Sequence, residues 1–199
     1  MPFNYSIAFL PLALLAAGFA TAVQAQTGPS FKCSPTMSSS AEALICQSDE
    51  LSTLDRTLAG VYDTALKKAA SAANILKAEQ RGWIKGRDEC WKAEDQQTCL
   101  RESYTQRIVE IQAGYGLVAS SGPVKFECGS DGNVVVTFFQ TDPPSINATY
   151  KNQQSLMVAV PSASGAHYQG RNESFWEHQG EARVAWGYGA KEMTCKKSR

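Results

Sequence analysis

Ser164-Gly165-Ala166-His167-Tyr168 sets a hydroxyl and an imidazole on a segment that Gly165 frees to turn. A second run, Phe175-Trp176-Glu177-His178-Gln179-Gly180-Glu181-Ala182, follows at short range and brings another imidazole, an indole and two carboxylates. A small Ser-Gly loop leading into an aromatic strand can push a hydroxyl and a basic side chain out on one rim. Such a rim suits filling a cleft in a partner. It lacks the parts of a catalyst. Two His residues and no Gly-x-Ser-x-Gly element leave a nucleophilic triad without members. Glu177 and Glu181 match a glycosidase pair in composition only, since nothing in the sequence supplies a pocket around them. No catalytic residue, metal or cofactor is expected.

The chain that must position these residues has 199 of them, with 19 basic and 19 acidic side chains. That balance gives no overall field toward nucleic acid or a membrane surface. Ile7 to Ala20 is almost wholly apolar, and Val23-Gln24-Ala25 offers small residues for cleavage before Gln26. Residues 1–25 therefore read as a signal peptide. The run is short for a span and holds Pro11 and Gly18, so no membrane span is expected after cleavage. Six cysteines (Cys33, Cys46, Cys90, Cys99, Cys128 and Cys195) contain no Cys-x-x-Cys pair, which argues against zinc. An even count behind an export signal argues for disulfides formed in an oxidising compartment.

Two modules are expected. Over residues 31–113, Leu51, Leu54, Leu58, Val61, Tyr62, Ala65 and Leu66 recur at three- and four-residue steps, with Ser48 as helix cap. Trp83, Ile84, Arg87 and Trp91 suggest a further helix, and Leu100, Tyr104, Ile108 and Ile111 a last one. A breaker cluster over 114–123 reads as a Gly/Ser linker. Beyond it the period drops to two, first in Val134, Val136 and Phe138. Further strands fit 148–150, 155–160, 174–176, 183–186 and 191–195. The fold class is thus an all-α, disulfide-linked helical module followed by an all-β small antiparallel barrel of about eight strands. Six cysteines allow 15 pairings. The two-module split suggests Cys33–Cys46, Cys90–Cys99 and Cys128–Cys195, the last joining the first β strand to the last.

Residues 124–195 resemble the MliC/PliC family of bacterial inhibitors of c-type lysozyme, whose marks are S-G-x-x-Y and F-W-x-K-G-x-x-A. The first motif is intact at Ser164–Tyr168. In the second, His178 stands where the Lys is expected and Gln179 where the Gly is. The resemblance implies an eight-stranded barrel whose motif Ser and Lys enter the lysozyme cleft and contact its carboxylates. It designates Ser164, Gly165, Tyr168 and His178 as lysozyme-binding residues. A Lys is charged at any physiological pH, whereas an imidazole ordinarily titrates near 6.5, so the contact is expected to strengthen in acid. Taken by itself, Tyr168 reads as a structural side chain with a bonded hydroxyl.

Residues 31–112 resemble LprI-like N-terminal domains through Phe31-Lys32-Cys33, Ala43-Leu44-Ile45-Cys46, Leu54-Asp55-Arg56, Gln80-Arg81-Gly82-Trp83, Arg87-Asp88-Glu89-Cys90, Cys99-Leu100 and Tyr104-Thr105-Gln106-Arg107-Ile108. Asp55, Arg56, Arg87 and Asp88 read as inter-helix ion pairs. The implied function is that of an exported, periplasmic lysozyme inhibitor, free of enzymatic activity, with c-type lysozyme as partner and extracellular release as an option. The alternative is a peptidoglycan or cell-envelope binding module, with Trp83, Trp91, Trp176 and Trp186 gripping sugar.

Overall fold

A computed structural model describes Met1 and residues 28–37 and 39–198. Apart from its first residue, the expected signal peptide lies outside the described residues. Four helices come first: α1 (Ser40–Gln47), α2 (Asp49–Ala69), α3 (Ala73–Asp88) and α4 (Gln96–Gly114). Eight strands follow: β1 (Ser120–Glu127), β2 (Asn133–Phe139), β3 (Ser145–Tyr150), β4 (Gln153–Val160), β5 (Ala166–Gln169), β6 (Glu173–His178), β7 (Glu181–Trp186) and β8 (Met193–Lys197).

Two of the long helices begin where a side chain can satisfy a free backbone N–H. Ser48 accepts from Leu51 N at the start of α2, and Asp95 accepts from Thr98 N at the start of α4. Leu51, Leu58 and Ala65 then bury one stripe of α2 against Ile45, Leu76, Leu100, Tyr104, Ile108 and Ile111. No single stripe marks α4, because it is covered on both sides: it packs on α1–α3 and also touches β3 and β4. Val109 is fully buried on this helix without belonging to the helical core.

The expected ion pairs between helices are replaced by a relay through a phenol. Arg87 Nη1 donates to the Tyr104 hydroxyl at 3.0 Å, and that hydroxyl donates to Asp55 Oδ1 at 2.8 Å. Arg87 also bonds Asp88, its own neighbour, while Arg56 donates to the Gly28 carbonyl and to Thr53. Asp55 Oδ2 accepts both the amide and the hydroxyl of Ser30, which ties the entering chain to α2. Burial pushes the Tyr104 hydroxyl well above its ordinary pKa; Arg87 opposes that shift and Asp55 adds to it.

The strands form a closed antiparallel barrel in sequential order, β1 to β8. Closure leaves no free sheet edge. Inward positions alternate along each strand and fill the interior with Phe126, Val134, Val136, Ile146, Ala148, Met157, Tyr168, Phe175, Ala182 and Val184. The disulfides are Cys33–Cys46, Cys90–Cys99 and Cys128–Cys195, as the two-module split suggests. Residues 114–123, expected as a linker, divide between several structures. Gly114 ends α4, Leu117 packs on the helical core, and Ser120 opens β1. Gly122-Pro123 sits at an irregularity of β1 against β2, where a proline without an N–H is tolerated.

Candidate functional site

The β6–β7 hairpin is the platform. His178 pairs with Glu181 across it, Glu177 with Ala182, and Trp176 with Arg183. Directly opposed residues share a face of the sheet. Ala182 is wholly buried, so Glu177 lies on the inward face, whereas Trp176, His178, Glu181 and Arg183 share the outward one. The two carboxylates of the motif therefore stand on opposite faces. Glu177 is also engaged locally, accepting from Gly180 N at 2.8 Å. A two-residue turn joins the strands, with Gln179 at φ 52° and Gly180 at φ 82°.

The β4–β5 loop lies against this hairpin. Gly165 adopts φ +69°, and a Cβ built there would collide with the Glu177 carbonyl, well inside the 3.0 Å that real Cβ atoms respect. It would also stand 3.1 Å from His178 Cβ. Glycine is thus required twice over, by conformation and by the approach of two backbones. The Ser164 carbonyl is held by two donors, Trp176 Nε1 and Ser162 Oγ, each at 2.8 Å. Its exposed hydroxyl takes no hydrogen bond among the described residues.

Ser164, Trp176, His178, Glu181 and Arg183 line one shallow pocket of about 260 Å³. The structure thereby brings Ser164 and His178 together, with Gly165 packed closely against Glu177 and His178. Tyr168 is elsewhere, 8% exposed in the barrel interior against Phe138 and Phe175. Burial, then the charge of Glu177, raises its hydroxyl above the ordinary pKa. Its position leaves almost no surface for a partner to touch. Motif and composition do not single out Arg183. It is nonetheless within reach of sequence reasoning, because a two-residue turn at Gln179-Gly180 sets the register that puts Arg183 beside Trp176.

The four tryptophans occupy separate environments. Trp83 packs on Tyr104 in the helical core, and Trp91 is 57% exposed at the turn after α3. Trp186 packs on Tyr150 and bonds Gln153, and Trp176 belongs to the pocket. They build no common aromatic face. Among the described residues no His/Cys/Asp/Glu cluster could hold a metal, and no helix is long and apolar enough to cross a membrane.

Comparison with known proteins matches each module separately. Residues 33–111 match the family model described as lysozyme inhibitor LprI. Residues 126–193 match that described as membrane-bound lysozyme-inhibitor of c-type lysozyme, MliC. The chain is also similar to proteins called lipoprotein LprI in Mycobacterium bovis and Mycobacterium tuberculosis. Identity to each is 33% over 145 residues, covering 72% of this chain and 73% of the relative.

Proposed function

Because the chain belongs to the LprI family, with an LprI domain followed by an MliC domain, we propose that it is an exported, periplasmic inhibitor that occludes the cleft of c-type lysozyme with its Ser164–Gly165 loop. The observation that carries this reading is the state of the loop. Ser164 presents an unengaged hydroxyl beside His178 in an exposed pocket, while its carbonyl is held by Trp176 and Ser162. A loop fixed before binding loses little conformational entropy on insertion, which favours tight association.

A glycosidase of this kind works through two carboxyl groups that flank the scissile bond. A hydroxyl and an imidazole can each donate to such a group, and together they fill the space that sugar and water need. No bond is made or broken, so inhibition is reversible and competitive with substrate. The helical module holds α4 against β3 and β4 and has no assigned contact with the enzyme.

The test is the rate of cell-wall lysis by a c-type lysozyme with added protein and with two variants. Wild type is expected to slow lysis. Ser164→Ala should weaken inhibition several-fold, and Ser164→Asp should abolish it by placing a charge opposite the carboxyl groups. Equal inhibition by wild type and Ser164→Asp would remove the loop from the contact.

A further inference from the structure

The replacement of the family's Lys by His178 leaves the pocket without a fixed charge at that position, and the pocket holds another cation. We propose that Arg183 is the residue that supplies the permanent positive contact to the acidic cleft of the partner; this rests on the cleft-blocking reading above. Arg183 stands directly across the hairpin from Trp176, on the outward face that also carries His178 and Glu181. Its guanidinium carbon lies 5.7 Å from the Trp176 ring centroid, a cation–π distance. The same indole donates its N–H to the Ser164 carbonyl at 2.8 Å. One rigid side chain therefore fixes both the loop and the cation. His167 tilts against Trp176 at 5.8 Å from the β5 side, so the indole is flanked on both neighbouring strands.

The local charges decide whether Arg183 is free to act. Its acidic partner is Glu192 at 3.9 Å, with the two side chains 56% and 52% exposed. An exposed pair of that length is weak and yields to a better-placed carboxylate. Glu181 faces the same pocket from β7 and opposes an acidic partner. Lys196 is the β8 residue opposite Glu181, and Thr194 the one opposite Arg183. Glu177 is directed to the other face. Among these groups Arg183 combines a charge that persists at every physiological pH with a place in the pocket beside Ser164. Its planar fork suits bidentate contact with a carboxylate better than an imidazole does.

The experiment measures the inhibition constant against a c-type lysozyme at pH 5.5 and pH 8, and at low and high salt. Wild type, Arg183→Met, Arg183→Lys and His178→Ala are compared. Arg183→Met keeps an apolar stem over Trp176 and removes only the charge. It is expected to weaken inhibition at least tenfold at both pH values and to flatten the salt dependence. Arg183→Lys should recover most of the loss, and His178→Ala should weaken inhibition less than Arg183→Met does at pH 8. If wild type inhibits and Arg183→Met matches it at pH 8, this proposal falls while the cleft-blocking reading stands. If Arg183→Met is weaker but keeps the wild-type salt dependence, the residue acts by packing and the proposal also falls. A wild type that inhibits at neither pH removes both readings.

Discussion

Replacing Gly165 by Ala tests the idea that the Ser-Gly motif exists to let a loop touch a strand. The added Cβ meets two separate costs. Holding an L-residue at φ +69° is the first, at about 1–2 kcal/mol. The second is the collision with the Glu177 carbonyl, an overpacking of the kind that costs roughly 1–3 kcal/mol. Gly180 provides the control, since it sits at φ +82° and a Cβ added there would have nothing within 4 Å. Gly180→Ala therefore incurs the conformational cost alone. The difference between the variants, about 2 kcal/mol, corresponds to roughly 10 °C in the melting of a module this size. Thermal unfolding followed by near-ultraviolet circular dichroism reads it, with lysozyme inhibition measured in parallel. Gly165→Ala should melt well below Gly180→Ala and inhibit at least tenfold less than wild type. Equal melting temperatures together with retained inhibition would refute the close approach.

Gln179→Gly should stabilise the barrel by about 0.5–1 kcal/mol, because Gln179 is held at φ 52° where glycine is unstrained; urea unfolding checks it. Replacing Cys128 and Cys195 together by Ala should cost about 4 kcal/mol, since their bridge spans 67 positions; the same assay measures it. Tyr104 predicts a loss of stability in alkali. Its folded pKa is raised, so above about pH 10 the unfolded chain gives up a proton that the folded one keeps. Stability is full below that pH and falls as pH rises toward the folded pKa, and Tyr104→Phe should show a shallower decline in unfolding experiments between pH 9 and 11.5.

Much of this architecture was legible because it is written in short-range pattern. The stripe from Leu51 to Leu66, the Ser48 cap and the alternation over Val134–Phe139 each reflect a local period. Division of the cysteines between two modules isolates Cys128 with Cys195, and the four in the helical module still allow three connectivities, of which the one joining chain neighbours is found. The features that local pattern does not show depend on partners distant in sequence. Gly122-Pro123 looks like a break, yet β2 holds it as part of β1. β5 is four residues long and coincides with the motif, so its strand character shows only when β4 and β6 flank it. Asp55 and Arg87 read as halves of ion pairs, and the Tyr104 hydroxyl that joins them enters from α4. At the candidate site, Ser164, Gly165, Tyr168 and His178 stand out by motif, and of these Tyr168 is buried in the barrel. Arg183 carries no motif of its own and is placed by hairpin register.

Occlusion requires the protein and a bound sugar to compete for the same lysozyme cleft. Its most direct test is binding of the protein to immobilised c-type lysozyme, with and without a saturating chito-oligosaccharide that fills the cleft. Occlusion predicts that the sugar competes, raising the apparent Kd linearly with free sugar once the cleft is mostly filled, and that Ser164→Asp binds weakly in either condition. Binding that is unchanged when the cleft is full would rule occlusion out.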